Sequence, residues 1–196
     1  MKTEVETKYY DNGQKESETN YKNGKLEGLS TSWYENGQKM WERNYKNGKG
    51  EGLSTSWHKN GQKWEEVTLK KGCYDGFYTA WYDNGQKEEE GEYKFINGWF
   101  INIDEGAEDG FWTCWYENGQ KRCEGNYKNG EMVGHFTHWY INGQKKEEGT
   151  LTKYGSFHGV YTSWYGNGQK EQEGKYKEGQ RFGPWNYWDK NGEKKF

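Results

Sequence analysis

Residues 33–49 read WYENGQKMWERNYKNGK, two Asn-Gly pairs separated by a short run of aromatic and charged residues. Trp, Tyr and Thr favour strands. Asn-Gly between such runs is the strongest short-range hairpin signal. The phrase recurs along the chain. Its glycine falls at Gly13, Gly37, Gly61, Gly85, Gly119, Gly143, Gly168 and Gly192, with spacings of 24, 24, 24, 34, 24, 25 and 24. A second turn lies within each unit, as KNGK at 22–25 and 46–49 and KNGE at 128–131. No window carries a helical apolar stripe, and glycine recurs too often for helices. The expected fold is all-β: an elongated, twisted, single-sheet antiparallel meander of tandem hairpin repeats of about 24 residues, aromatic-rich on one face. Residues 1–196 form a single repeat domain of about seven to eight hairpin units, with an atypical insertion at 94–110.

Turn length sets which side chains share a face. With a three-residue loop, Glu35-Asn36-Gly37, Trp33 pairs with Lys39. Trp33, Thr31 and Leu29 then share a face with Trp41, Arg43 and Tyr45. The second turn, Lys46-Asn47-Gly48, is given the same loop. This register also places Gly91, Gly125, Gly149 and Gly174 on the aromatic face, where a missing side chain leaves room for a neighbouring ring. It sets Cys114 against Arg122 and Cys123 against Thr113, so both thiols are expected to be free. Glu4 stands where later repeats carry a glycine. Pro184, the single proline, reads as an end cap that blocks further strand pairing.

Composition supports a thin aromatic scaffold rather than a thick aliphatic core. The hydrophobic residues make up 30% of the chain and the aromatics alone 19%, with 12 Trp, 17 Tyr and 8 Phe. Aromatic rings bury large apolar areas each. The 28 basic and 31 acidic residues nearly cancel, which is no footprint for nucleic acid. The first residues carry no apolar run, and no stretch has the length of a transmembrane helix. The odd count of 3 cysteines points to a reducing compartment. The expected location is cytoplasmic; removal of a leader would instead make it extracellular or cell-surface.

WYENGQK at 33–39 and again at 115–121, EGNYKNG at 124–130, and then Gly134 with an aromatic-Thr pair resemble the MORN repeat, in the bacterial variant with the Asn-Gly phrase. The likeness covers nearly all of residues 7–194 except 94–110. It implies a binding protein and carries no catalytic residues to transfer. Bacterial proteins of this kind are often labelled antitoxins or toxin-immunity proteins, and others look like surface or host-interaction proteins. The resemblance thus implies a non-enzymatic interaction module of the antitoxin or immunity type, which binds a protein partner such as a basic toxin. The alternative is a structural, adhesive or host-interaction scaffold, or a homo-oligomer joined through sheet edges or the insertion.

The residues themselves offer no chemistry. His135 and His138 fall on opposite faces of a strand, and His58 replaces the Tyr after Trp57. No nucleophile with an activating partner and no phosphate loop is visible. Neither a metal, a cofactor nor nucleic acid is expected. The best lead is the insertion, the most apolar stretch of the chain. Phe95, Ile96, Trp99, Phe100, Ile101 and Ile103, followed by the acidic Asp104 and Glu105, are the candidate partner-binding residues. An apolar cluster rimmed by charge is how such sites look. The competing reading is a longer hairpin that folds back over the aromatic face.

Overall fold

The computed structural model of the protein describes residues 2–95 and 107–195. Every regular element among them is a β-strand, and none is a helix. The contacts gather into two compact units, one up to Ala107 and one from Glu108. The first contains β1 (Thr3–Tyr9), β2 (Lys15–Lys22), β3 (Lys25–Trp33), β4 (Lys39–Lys46), β5 (Lys49–Trp57), β6 (Lys63–Lys70), β7 (Cys73–Trp81) and β8 (Lys87–Lys94). Consecutive strands pair antiparallel throughout. The two-residue strand β9 (Ala107–Glu108) marks the boundary. The second unit contains β10 (Gly110–Trp115), β11 (Lys121–Lys128), β12 (Glu131–Trp139), β13 (Lys145–Leu151), β14 (Gly159–Trp164), β15 (Lys170–Lys177), β16 (Gln180–Trp188) and β17 (Lys194–Lys195). It follows the same rule. The fold is therefore the expected all-β array of tandem antiparallel hairpins.

The main turn is the expected three-residue loop. The Tyr34 N–H donates to the Gln38 carbonyl and the Gly37 N–H to the Tyr34 carbonyl, both at 2.8 Å. Gly37 has φ 81°, the left-handed position that closes a type I turn with a G1 bulge. The second turn is shorter than expected. Lys46 pairs with Lys49, and Asn47 and Gly48 have φ of 52° and 84°. Two consecutive positive φ values define a two-residue type I′ turn, for which Asn-Gly is the favoured pair. One repeat departs from this. Between β13 and β14 the loop Thr152–Ser156 is closed by Gly155 N–H to Thr152 carbonyl at 3.0 Å. This is again the three-residue form, and it accounts for the single spacing of 25.

The expected faces need correction just past the main turn. Trp33 does pair with Lys39, but Met40 is bulged out, so Ser32 meets Trp41 and Thr31 meets Glu42. Each extra residue inverts the alternation of side chains. Thr31 and Leu29 therefore lie on the opposite face from Trp41, Arg43 and Tyr45. The same bulge at Arg122 overturns the expectation of free thiols at Cys114 and Cys123. It sets the two residues directly opposite one another, with Cα atoms 5.1 Å apart and joined by a disulfide. Cys73 is buried and takes no part in this bridge.

The face shared by Tyr45 and its counterparts holds the core. In the first unit Ser30, Ser54 and Val67 are at most 1% exposed. In the second unit Trp112, Phe136 and Tyr161 are buried, each opposite a glycine: Gly125, Gly149 and Gly174. A Cβ at Gly149 would lie 3.0 Å from Phe136 Cε1 and 3.2 Å from Tyr161 Cδ2. These glycines make room for rings, as the sequence suggests. The rings then meet one another: Phe157 stacks on Tyr176 at 4.9 Å, and Trp185 meets Tyr176 edge-on at 5.1 Å.

Candidate functional site

The WYENGQK phrase builds a column of stapled turns. Tyr34 Oη donates to the Trp57 carbonyl one repeat on, at 2.8 Å. Tyr10, Tyr116, Tyr140 and Tyr165 repeat the bond to Trp33, Trp139, Trp164 and Trp188. His58 replaces Tyr chemically as well as in sequence, with Nε2 2.9 Å from the Trp81 carbonyl. The asparagine serves two turns at once. Asn36 Oδ1 accepts from the Gln38 N–H at 3.1 Å, and Asn36 Nδ2 donates to the Lys59 carbonyl of the next turn at 2.8 Å. The glutamine lies against the next glycine: a Cβ at Gly61 would sit 2.7 Å from Gln38 Oε1. Each net hydrogen bond contributes about 0.5–1.5 kcal/mol, so within each unit these bonds tie successive strand ends together.

The face opposite the core carries a second repeated motif. Lys39 Nζ pairs with Glu42 and lies 5.4 Å from the Trp57 ring centroid. Lys15, Lys63, Lys121, Lys145 and Lys170 do the same with Glu18, Glu66, Glu124, Glu148 and Glu173. Their rings are Trp33, Trp81, Trp139, Trp164 and Trp188. Glu42 sits between Thr31 and Thr55 on the flanking strands, and both threonines are buried. Half-exposed ion pairs contribute little each, about 0–1 kcal/mol. Their effect is to neutralise charge over the tryptophans.

Beside this ladder runs an exposed apolar row. In the first unit it consists of Val5, Leu29, Leu53 and Phe77, from 42% exposed at Leu29 to 74% at Phe77. Each of the last three follows a glycine of positive φ, Gly28, Gly52 and Gly76, and shares the threonine face through its strand's alternation. In the second unit Phe111 and Val160 hold the corresponding places and are exposed. His135 and Pro184 take the other two. Pro184 lies in the bulge between the Glu173–Asn186 and Lys175–Phe182 pairs. With two strands per repeat, neighbouring members of a row are about 9.6 Å apart. The sequence shows the apolar residue after each of these glycines, but only the bulged register reveals that the side chains face solvent together.

Of the residues expected to bind a partner, Phe95 is described. It is half-buried, and its N–H donates to Asp75 Oδ1 at 3.2 Å. The Asn47 and Lys71 N–H groups make the equivalent bonds to Glu27 and Glu51, so Phe95 begins as an ordinary turn residue of the repeat. Ile96, Trp99, Phe100, Ile101, Ile103, Asp104 and Glu105 lie outside the described residues. Among the described residues, no three His, Cys, Asp or Glu side chains are grouped to hold a metal. Among the described residues, too, no helix is long and apolar enough to cross a membrane. One polar pair stands out in the second unit. His138 Nδ1 lies 2.9 Å from Glu147 Oε1, and Tyr161 Oη donates to Glu147 Oε2 at 2.8 Å. The hydrogen bond from His138 holds the Glu147 carboxyl below its ordinary range, against the opposing effect of burial. Burial, then the Glu147 carboxylate, raises the Tyr161 phenol.

No curated protein matches the chain in sequence. The family described as the MORN repeat variant matches it at residues 5–23, 26–49, 50–71, 74–95, 108–129 and 157–178. The matched segments begin and end close to the strand pairs and turns described above, and together they cover well over half of the chain. With repeats, turns and matched segments coinciding, the chain belongs to the MORN repeat variant family.

Proposed function

We propose that the protein is a repeat-built interaction scaffold that binds a protein segment along the exposed apolar row of its threonine face. The observation that carries this reading is the row itself: Val5, Leu29, Leu53 and Phe77, all exposed, at one place in successive repeats. Scattered exposed apolar residues are normal, but aligned ones next to polar residues are how interaction sites look. The flanking lysines are already paired with glutamates, so the surface offers apolar contact more than net charge. A rigid sheet also binds without a large ordering cost. The narrower antitoxin or immunity role, and the basic partner that went with it, have no support in the matched repeats, and the scaffold reading replaces them.

The test compares three proteins for capture of partners from native lysate, with circular dichroism to confirm folding. They are the intact chain, a Leu53→Ser/Phe77→Ser variant and a Trp99→Ser/Phe100→Ser variant. The expected result is a defined partner retained by the intact chain and by the Trp99/Phe100 variant, and lost with Leu53 and Phe77. Loss only with Trp99 and Phe100 would move the site to the insertion. Retention by all three would remove the row from the reading.

A further inference from the structure

The disulfide lies in a row of four side chains that occurs once among the described repeats. Cys114 pairs with Cys123, Cys123 with His138, and His138 with Glu147, on four successive strands β10 to β13. Directly opposed residues in an antiparallel pair bring their Cβ atoms to about 4.5–5.5 Å. The corresponding places in the first unit hold Ser32, Trp41, Ser56 and Glu65, a row with neither thiol nor imidazole. The two sulfurs are not equivalent. Cys114 is buried, whereas the half-buried Cys123 lines an open cleft with His138, Arg122, Lys146, Tyr116 and Trp139.

We propose that Cys114 and Cys123 form a thiol–disulfide exchange site, with Cys123 the attacking sulfur, Cys114 the resolving sulfur and His138 the base. The substrate class is a disulfide able to enter the cleft, either a small-molecule disulfide or one on an exposed loop of another protein. Glu147 is a positioning residue: it holds Nδ1 of His138 and leaves Nε2 to take a proton. In the reduced site the Cys123 proton passes to His138, with Arg122 and Lys146 as nearby cations favouring the thiolate. The thiolate attacks one substrate sulfur. The substrate S–S bond breaks, and the departing thiolate takes the proton from His138. Cys114 then attacks the Cys123 sulfur, its proton passing to the departing substrate thiolate, which leaves as the second thiol while the Cys114–Cys123 bridge is restored. One disulfide is reduced to two thiols as the protein dithiol is oxidised. A small-molecule dithiol returns the bridge to the reduced form by the reverse exchange. This site is independent of the apolar row.

The test uses the full chain, reduced with a dithiol and freed of it, and an aromatic disulfide reagent whose released thiol is coloured. Peptide mass mapping separates Cys123 from Cys114 and Cys73. Two equivalents of coloured thiol are expected, with a Cys114→Ser variant halting at a mixed disulfide on Cys123. The rate–pH profile of Cys123 should place its midpoint below the ordinary thiol value of about 8.5. His138→Gln should slow the reaction near neutral pH by about 10-fold and return the midpoint toward that value, and Glu147→Gln should shift it part of the way. If a variant fails to fold, the profile of the unmodified protein decides. A midpoint at or above 8.5, first attack at Cys114, or a profile unchanged in folded His138→Gln would overturn the proposal.

Discussion

The two units fill the same space in opposite ways. In the first, small Ser30 and Ser54 face Arg43 and Val67. In the second, large Phe136 and Tyr161 face Gly149 and Gly174. The changeover comes at β6 to β8, where Val67 meets Tyr78 and Tyr78 meets Gly91. The backbone pairing across the main turns is the same in both. Across the main turns a large residue is thus set against a smaller one, so the register there requires complementary volumes and not a particular residue; Val67–Tyr78, across a second turn, is where the order reverses. Close-packed interiors tolerate volume-conserving exchange far better than a change at one partner alone.

The sharpest way to break the comparison is to impose the first unit's solution on the second. Gly149→Val alone drives a side chain into Phe136 and Tyr161 and should cost about 3 kcal/mol, at the upper end for overpacking. Phe136→Ser alone removes a buried ring at about 3–5 kcal/mol. Together they recreate the Ser54–Val67 pair, so the double variant should lose less than the sum by at least about 1 kcal/mol. Chemical denaturation of the four proteins measures this; strict additivity would mean that the pairs are not complementary.

A smaller effect separates the two kinds of turn. Gly61→Ala meets both a positive φ of 86° and the Gln38 carboxamide, whereas Gly24→Ala meets only a positive φ of 75° with nothing within 4 Å. Left-handed backbone costs an L-residue about 1–2 kcal/mol. Both variants should lose that much, and Gly61→Ala should lose more. Equal losses in thermal unfolding would show that the glutamine contact carries no energy.

The smallest effect is a difference in acid response. Because Glu147 titrates below its ordinary value in the folded chain, its contribution is complete above the ordinary carboxylate value of about 4.3. It disappears as the pH falls through the lower folded value. The protection of amides in β12 and β13 should therefore fall on acidification more steeply than in β4 and β5, by less than about 1 kcal/mol of opening free energy. Glu147→Gln should abolish that difference. A persistent difference would assign the acid response to other groups.

Much of this architecture is legible in the residues. The Asn-Gly pairs give the hairpins, and the Trp33–Lys39 pairing follows from a three-residue loop. Gly149 and Gly174 announce the rings they accommodate. The faces are not legible, because a bulged residue looks like any other: Met40 and Arg122 carry no local sign that they leave the ladder. That one-residue slip separates an expected pair of free thiols from a Cys114–Cys123 bridge. It also hides the apolar row, since Leu29 reads as a core residue until the bulges are counted. The apolar insertion drew attention because it interrupts the repeat, whereas the row is spelled out by the repeat itself.

The stapled turns also have a direction. Tyr34 and Asn36 reach forward to the carbonyls of Trp57 and Lys59, and Tyr10 and Asn12 reach forward to Trp33 and Glu35. In the last described turn Asp189 stands in the tyrosine's place, and its Oδ1 accepts from the N–H groups of Asn191 and Glu193 within its own turn. The turns headed by Tyr34, His58, Tyr140 and Tyr165 are each a plug on one side and a socket on the other. A gene that duplicates or deletes one whole repeat joins plug to socket again, and the protein changes length without inventing a contact. A deletion of half a repeat leaves two plugs or two sockets facing each other. Copy number is thus the cheapest trait for evolution to vary in this chain, and the register of its turns the most expensive.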